Sequence, residues 1–426
     1  MAADLSTLNP ILKEDYKDFI DQLNNDCFIT SQIDANSDNV QGRRAVHSIH
    51  TKRSTGVGSR GESVNSTLPT AGNQGTAVVN VPLRRHFGRL QISLGTMEQA
   101  NQPTGAFVDG VDLEMNGIRD DVMRDRCRQV WGTSNGVIAQ CTTTNSSTTI
   151  ALATTTTLTQ MEQLWADGGM ICDIGTVASP ATIAEDRTIT AYSDTTPGSY
   201  TVTISGAAVS TTGSHFIFRA NNGGASDNTG NVDDGQYELT GLQTIVDSSA
   251  YAHTLTAAST PSWAAYEAAI SGLPTEAAIN NAIQRTAIKS GKSINVLVCG
   301  PGVHQSVANL LLSTKRHVAP SVDLKAGYSG IEWSAPAVGR QGGVQVALVI
   351  DRDCPGGMMF GLNFDSLVWY QTPGSGDWKW LDQDGSILAR VSNEPAFEGT
   401  LYSIAELAVK QRNANFKLTG ITETTS

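Results

Sequence analysis

The sequence has few of the features that hold small secreted or metal-bound domains together. Its 426 residues include six cysteines, none of them in a C-x-x-C pair. Their irregular spacing argues against a disulfide framework or a zinc site and favours a reducing cytosol. No apolar run approaches the roughly 20 residues that span a bilayer. Residues 1–9 are polar, so we expect no signal peptide.

Charged and aromatic residues are also scarce, at 16% and 6%. Long charge-rich helices of the coiled-coil type are therefore not expected. The 29 lysines and arginines stand against 41 acids, which gives a net charge of −12. This balance disfavours non-specific wrapping of nucleic acid, because such binding depends on neutralising phosphates. A chain of this length forms more than one domain and buries roughly three quarters of its unfolded surface without covalent or metal support.

Motifs with catalytic or cofactor chemistry are missing as well. Residues 56–61 match G-x-G-x-x-G, but the residues that follow do not start a helix, so the helix N-terminus that binds a pyrophosphate is absent. His47 and His50 would point to opposite faces of a strand, and no third ligand is spaced to join them. There is no G-x-S-x-G elbow. We therefore predict no catalytic residue, no cofactor and no metal, and we do not expect an enzyme.

Apolar periodicity predicts two prominent helices. One covers residues 8–23 and the other residues 104–131, with Thr104 as its N-cap and Gly132 as its stop. Gly110 and Gly117 lie seven residues apart in the second helix, where each costs about 1 kcal/mol relative to alanine. Close approach of another element would explain that cost.

Charge is divided unevenly along the chain. Residues 41–90 hold eight basic residues and one acid, a net of +7, whereas residues 135–275 hold 12 acids and two arginines, a net of −10. The basic stretch contains two strand-like segments, 45–50 and 76–94, joined by turn-rich sequence, and we interpret it as a long hairpin that needs another surface to lie on. A solvated loop is the ordinary interpretation of such a basic stretch, and contact with an acidic surface of another copy is the alternative that an acidic protein suggests. The candidate inter-subunit residues are Arg43, Arg44, Lys52, Arg53, Arg84, Arg85 and Arg89 on the basic side, and Asp120, Asp121 and Asp125 on the long helix.

In the second half of the chain the sequence pattern changes at two positions, residues 141 and 262. Residues 141–236 carry short alternating stretches separated by turn signals, which is typical of a small all-β unit. From residue 262 the pattern is mixed. A helix is predicted from Thr275 to Ser290, closed by Gly291, followed by a strand at 294–299 and a second helix at 303–313. Further strands are predicted at 344–350, 367–370, 387–391, 401–409 and 416–421.

The order of these parts resembles the tailed-bacteriophage major capsid proteins, a family with the Johnson fold. The segments that carry the resemblance are LNPILKE at 8–14 with FIDQL at 19–23, LPTAGNQ at 68–74 with VPLRRHFGR at 81–89, the long helix at 107–131, and YELTGL at 237–242. These segments are similar to the family's N-terminal arm, its extended E-loop, its spine helix and the re-entry into its main fold.

The resemblance implies an α+β fold with six parts. They are an N-terminal arm (1–34), an extended E-loop (35–103), the spine helix with the start of a peripheral domain (104–140), an inserted β-rich domain (141–236), a central α/β domain (237–379) and return strands of the peripheral domain (380–426). We expect the insert to be separable and to lie on the particle exterior.

The resemblance also implies a function. Many copies would form hexamers and pentamers of an icosahedral shell around the viral genome, within a virion assembled in the host bacterial cytoplasm. Its expected partners are other copies of the chain, scaffold, portal and decoration proteins, and packaged DNA bound without sequence specificity; no membrane partner is expected. The alternatives are an encapsulin-like compartment shell of the same fold, a β-rich surface adhesin, which the missing signal peptide disfavours, and an enzyme.

Overall fold

The computed structural model shows an α+β protein. The described residues are 28–59, 67–95, 108–164, 169–196, 198–223, 237–248, 252–256, 259–313, 321–323, 329–336, 343–372, 378–382 and 386–423. The helix predicted at 8–23 and the cap predicted at Thr104 lie outside them. The α-helices of the described part are α1 Phe28–Gln32, α2 Val108–Val130, α3 Leu158–Gln163, α4 Leu242–Ile245, α5 Glu276–Ser290 and α6 Pro301–Ser313.

Local sequence signals set the ends of the clearest helix. Thr275 caps α5 because its hydroxyl accepts a hydrogen bond from the backbone of Ala278, and Gly291 ends the helix in the left-handed conformation with φ +70°. The predicted bounds are therefore confirmed. The long helix α2 likewise ends at Val130, just before the predicted stop.

A six-stranded peripheral sheet is built around one long strand. Its strands are β1 Ala35–Asn36, β5 Arg84–Ser93, β20 Leu367–Gln371, β21 Lys379–Trp380, β22 Ala389–Arg390 and β23 Ala396–Val409. The strand β23 pairs with β5 along one edge and with β20, β21 and β22 along the other. Alternate residues of β5 are buried, and an added Cβ at Gly88 would lie 2.6 Å from Val122 of α2. One face of this sheet therefore packs against α2.

A seven-stranded central sheet forms the second layer. Its strands, in spatial order, are β14 Tyr266–Gly272, β24 Phe416–Ile421, β19 Met359–Leu362, β15 Val296–Cys299, β18 Gly343–Ile350, β17 Ser329–Pro336 and β16 Ser321–Asp323. The assignment of residues 380–426 to the peripheral domain is corrected here, because β24 pairs with β14 and β19 in the central sheet. Conversely, β20 belongs to the peripheral sheet although it lies within 237–379.

The predicted hairpin is real but shorter than expected. The ladder consists of β2 Val40–Gln41, β3 Arg44–Lys52 and β4 Gly75–Pro82, and we call its part between residues 43 and 82 the basic hairpin. Residues 76–94 were expected to form one arm of it. Instead the chain leaves the hairpin after Pro82, and β5 enters the peripheral sheet.

The β-rich insert has two sheets and a core of its own. The larger sheet contains β6 Val137–Gln140, β8 Thr149–Ala151, β9 Ile171–Thr176, β10 Ser179–Ser193, β11 Thr201–Ile204 and β13 Phe216–Arg219, and the smaller one contains β7 Thr144–Ser147 and β12 Val209–Thr211. Their buried side chains form a cluster separate from the other two cores. Because β6 pairs with β13, the insert begins at Val137 and not at residue 141.

The thiols only partly match the sequence prediction. Cys141, Cys172, Cys299 and Cys354 are free and buried, whereas Cys127 is disulfide-bonded, which the irregular spacing did not predict. In the described part of the chain, no helix has the length and apolar character needed to cross a membrane.

Candidate assembly surfaces

The basic hairpin is anchored at its base and exposed at its far end. Ala45, Val79 and Val81 are buried in the main core, so the lower half of the hairpin lies on its own subunit. At the far end, Val57 and Leu68 are 86% and 83% exposed. We expected the whole hairpin to pack on another surface. Because its base is already buried in its own subunit, this expectation now concerns only the outer half.

Hydrogen bonds fix the hairpin to a loop of the same subunit. The backbone N–H of Asn80 donates to Thr254 Oγ1 at 3.1 Å, and Ser262 Oγ donates to the carbonyl oxygen of Thr51 at 3.0 Å. Farther out, Ser54 Oγ donates to the Gly72 carbonyl at 2.8 Å, so the two arms stay together beyond the ladder. These bonds therefore hold the hairpin against the segments of Thr254 and Ser262 in the same subunit.

Four of the predicted basic residues lie exposed on or beside this hairpin, and they are Arg43, Arg44, Lys52 and Arg53. Arg43 and Arg44 lie at the base of the hairpin, where Arg44 pairs with Pro82, and Lys52 and Arg53 lie at the outer end of β3. Long cationic side chains on a projecting element carry charge to a partner surface while their apolar stems cover the strands.

Arg84 is not an exposed contact residue, and this corrects the sequence prediction. Its side chain is 5% exposed, and its Nε lies 3.6 Å from Glu406 Oε2, which is fully buried. Glu406 Oε1 also accepts a hydrogen bond from the backbone of Thr240 at 2.7 Å. The charge of Arg84 is therefore matched inside the subunit.

Arg85 and Arg89 lie on the opposite face of the same strand. Both are exposed, and Arg89 forms an ion pair with Glu398 of β23. Arg85 and Arg89 remain candidate contact residues, but on the peripheral sheet and not on the hairpin.

Two acids of α2 are exposed in the single subunit. Asp120 and Asp121 are exposed, and an added Cβ at Gly117 would meet no atom within 4 Å. Burial and the neighbouring charge of Asp121 raise the pKa of Glu114, one helical turn before Gly117. Among the residues that the structure describes, no close approach of the kind inferred for the helix glycines is made at Gly117. A close approach is made instead by Gly88 of β5, which allows the strand to approach Ile118 and Val122.

Asp125 is also matched within the subunit. It accepts a hydrogen bond from Arg128 Nε at 2.9 Å and lies 3.2 Å from Arg219 Nη2 of the insert. Burial opposes its ionisation, but the two guanidinium groups outweigh burial and hold the pKa of Asp125 well below its usual range. Arg128 in turn pairs with buried Glu238. The sequence showed these charges but not the pairing of Asp125 with Arg219 or of Arg128 with Glu238, because those partners lie far apart in the chain.

A second set of contacts fixes the insert to the central sheet. Asp353 accepts hydrogen bonds from Arg124 of α2 at 2.5 Å and from Gln163 of α3 at 3.1 Å. Thr159 Oγ1 donates to the carbonyl oxygen of Arg352 at 2.6 Å. The insert therefore has a defined orientation on the subunit, which its composition alone did not indicate.

No group of three or more histidine, cysteine or acidic side chains that could hold a metal ion occurs among the described residues. The sequence matches no protein-family model and no curated protein.

Solved structures resemble the chain over nearly its whole length. A capsid chain of cyanophage A-1(L) covers 96% of this chain and 97% of its own, with TM-score 0.56 and 11% identity. The capsid of a native GTA particle covers 96% and 95%, with TM-score 0.45 and 10% identity. The SrpI encapsulin complex of Synechococcus elongatus PCC 7942 covers only 38% of this chain and 55% of its own, with TM-score 0.28 and 16% identity. The cyanophage comparison shows that the chain has the phage capsid fold, which confirms the fold expected from the sequence.

Proposed function

We propose that this protein is the major capsid protein of a tailed bacteriophage. Copies associate into hexamers and pentamers, which close into an icosahedral shell around the viral genome. The observation that carries the proposal is the match to the cyanophage A-1(L) capsid chain, which includes almost every residue of both chains. The net charge of −12 suits a container that does not bind its packed DNA tightly.

The subunit has the surfaces that such association needs. The outer part of the basic hairpin carries exposed apolar and basic residues on a chain of opposite net charge, and α2 presents the exposed acids Asp120 and Asp121 near Gly117. We infer that the basic hairpin of one copy lies on this acidic helix face of a neighbour. Glycine at position 117 would let the neighbouring backbone approach closely.

Assembly of the purified protein tests the proposed function. We expect light scattering to show rings or larger closed particles, and negative-stain electron microscopy to show shells of uniform diameter. A stable monomer at every salt and protein concentration, with and without phage assembly proteins, would contradict the proposal. The content of shells from infected cells distinguishes the encapsulin-like alternative, since a phage shell holds DNA and a compartment holds a protein cargo.

Charge reversal on the basic hairpin tests the inferred contact. An exposed ion pair contributes only about 0–1 kcal/mol, but breaking a pair buried at an interface costs about 2–5 kcal/mol. Lys52→Glu with Arg53→Glu should therefore leave the subunit folded and reduce shell formation strongly. Added salt should weaken wild-type assembly in the same direction, because screening acts over about 8–10 Å.

The matched control applies the same charge change elsewhere. Lys292 and Arg390 are exposed and are not part of the hairpin, so Lys292→Glu with Arg390→Glu should assemble nearly as wild type. If the hairpin variant also assembles like wild type at equal salt, the hairpin is a solvated arm and does not contact a neighbour through these charges.

A further inference from the structure

Cys127 is disulfide-bonded, and the state of the other cysteines identifies its partner. The sequence holds six cysteines, and four of them are free, namely Cys141, Cys172, Cys299 and Cys354. Within one chain this leaves Cys27, the residue directly before Phe28 of α1. A bond between Cys27 and Cys127 joins the start of α1 to the last turn of α2.

The packing around Phe28 supports this partner. Phe28 is buried in the main core together with Val130 and Trp131, which end α2 and follow it. Cys127 is 4% exposed and lies three and four residues before them, so the three side chains share one face of the helix. Consecutive Cα atoms are about 3.8 Å apart, and the two Cα atoms of a disulfide lie about 4.4–6.8 Å apart. The residue before Phe28 is therefore in the region that a disulfide with Cys127 requires.

The other four thiols are protected from the same oxidation. Burial raises the pKa of the Cys141, Cys172 and Cys299 thiols to about 12, and it raises the pKa of Cys354 well above its usual range. The thiolate is the form that reacts in disulfide exchange, so these four groups react slowly at neutral pH. Oxidation of the chain is therefore expected at one pair.

We propose that Cys27 and Cys127 form an intrachain disulfide that is open while the subunit is inside the cell and closes once the particle is outside it. The sequence favours a reducing cytosol, where thiols stay reduced, whereas the bonded Cys127 indicates an oxidising environment. A particle that is assembled in a cell and then released meets both environments in turn. This timing rests on the proposed function, but the pairing itself does not require copies to associate.

The bond forms by exchange with a low-molecular-weight disulfide such as glutathione disulfide. One protein thiolate attacks a sulfur of that disulfide, so its S–S bond breaks, a mixed disulfide forms and one glutathione thiolate leaves. The second protein thiolate attacks the protein sulfur of the mixed disulfide and releases the second glutathione. The two protein thiols are oxidised by two electrons, glutathione disulfide is reduced, and the two protons pass to the glutathione thiolates.

The bond closes a ring of the chain that holds the main assembly elements. Residues 27–127 include α1, the basic hairpin, β5 and nearly all of α2. A cross-link over a loop of about 100 residues strongly restricts the unfolded chain. We therefore expect the released particle to resist unfolding better than the particle inside the cell does.

Peptide mapping of the full chain tests the pairing. The protein is incubated with glutathione disulfide, denatured with an alkylating reagent and digested without reductant, and mass spectrometry should find the peptides of Cys27 and Cys127 joined. In the variant Cys27→Ser, Cys127 should be alkylated instead. When isotope-labelled and unlabelled protein are mixed before oxidation, joined peptides should carry the same label. Mixed labels, a bond from Cys127 to any other cysteine, or an alkylated Cys127 in the wild-type protein would overturn the proposal.

Thermal unfolding measures the effect of the bond. Dithiothreitol should lower the unfolding midpoint of the oxidised wild-type protein by roughly 3–8 °C, because it removes the cross-link. Cys27→Ser should show the lower midpoint without reductant, and dithiothreitol should not lower it further, since its other buried thiols are already free. An equal response of both proteins to dithiothreitol would contradict a stabilising bond between these two cysteines.

Thiol trapping tests the timing. Infected cells denatured directly in N-ethylmaleimide should yield chains labelled at Cys27 and Cys127, whereas released particles treated in the same way should yield chains labelled at neither. Labelling in both samples, or in neither, would overturn the timing. Electron microscopy scores the shell separately. Shells whose Cys127 stays free contradict this inference alone, and the correct disulfide in a protein that forms no shells contradicts only the proposed function.

Discussion

Two neighbouring arginines on one strand show how strongly the side of a sheet decides what a residue does. Arg84 is 5% exposed and lies against buried Glu406, whereas Arg85 is exposed on the other face of the sheet. The two differ by one position in the sequence, and successive strand residues point to opposite faces. Their substitutions therefore have different consequences.

Arg84→Glu should destabilise the subunit by about 3–5 kcal/mol or more, because it leaves the buried carboxylate of Glu406 facing another acid. Arg85→Glu should change the free energy of unfolding by no more than about 0.5 kcal/mol, as is usual for an exposed site. Urea unfolding of the two variants at pH 7 measures the difference. Equal stability of the two would contradict the buried pairing of Arg84.

Two buried histidines make stability depend on pH. Burial first, together with nearby Arg126, lowers the pKa of His86 to about 4, and burial with nearby His47 and Arg412 lowers that of His253 to about 3. The ordinary value is about 6.5. Below that pH the unfolded chain binds protons that the folded chain does not, so stability falls as the pH decreases toward 4 and is unaffected by these groups above 6.5.

Each histidine should cost on the order of 2 kcal/mol of stability at pH 5 relative to pH 7. His253→Asn removes one titrating group, and asparagine tolerates the positive φ of +59° at this position. Urea unfolding at both pH values should show a smaller loss in this variant. His50→Gln, on the exposed hairpin, serves as the control and should keep the wild-type difference. An unchanged pH dependence in His253→Asn would exclude His253 as a source of the effect.

At the scale of elements, the contact between α2 and β5 depends on a glycine of the strand, whereas a glycine of the helix takes no part in it. Gly88 of β5 lets the strand approach Val122 and Ile118, whereas Gly117 of α2 faces open space. Sequence reasoning noticed the helix glycine and attributed a close approach to it. The structure assigns the approach within the subunit to the strand glycine.

Alanine substitutions distinguish the roles of the two glycines. Gly88→Ala places a Cβ 2.6 Å from Val122 Cγ1 and should cost about 1–3 kcal/mol through overpacking. Gly117→Ala should stabilise the isolated subunit by up to about 1 kcal/mol, because alanine is the better helix former. Thermal unfolding of the unassembled protein shows whether each substitution lowers or raises the stability of the subunit. If Gly117→Ala stabilises the subunit yet impairs shell formation, its glycine serves approach by a neighbour; normal assembly would contradict that role.

At the scale of the whole molecule, the insert is a unit whose two ends meet. Val137 pairs with Phe218, and Gly136 lies against Asn222, so entry and exit are adjacent. A short linker can therefore replace residues 137–219 without stretching the chain. The replacement removes the contacts of Gln163 with Asp353 and of Arg219 with Asp125, but the pairs of Arg124 with Asp353 and of Arg128 with Glu238 remain.

We expect the linker variant to keep cooperative unfolding and resistance to proteolysis, because the insert has its own core. We also predict that shells still form, since the insert is expected on the particle exterior. Circular dichroism, limited proteolysis and electron microscopy check these outcomes in turn. Loss of the subunit fold would show that the insert is part of the main core.

The sequence determined the features that depend on neighbouring residues. The ends of α5 follow from Thr275 and Gly291, which act within one helical turn, and the end of α2 follows from a local stop. Charge segregation and the order of elements are equally visible in the sequence. The capsid fold was expected from the resemblance of that order and of several segments to a known family, and not from the charge pattern.

Only the tertiary structure decided which distant segments pair and which faces are covered. Strand partners are chosen by contacts far apart in the chain, so the positions of β5 beside β23 and of β24 in the central sheet could not be deduced locally. Because α2 covers one face of the peripheral sheet, Arg84 is buried and Arg85 is exposed. Asp125 likewise became an internal partner of Arg128 and Arg219 through folding. Residue type and spacing specify charge and local structure, whereas burial is a property of the packed layers.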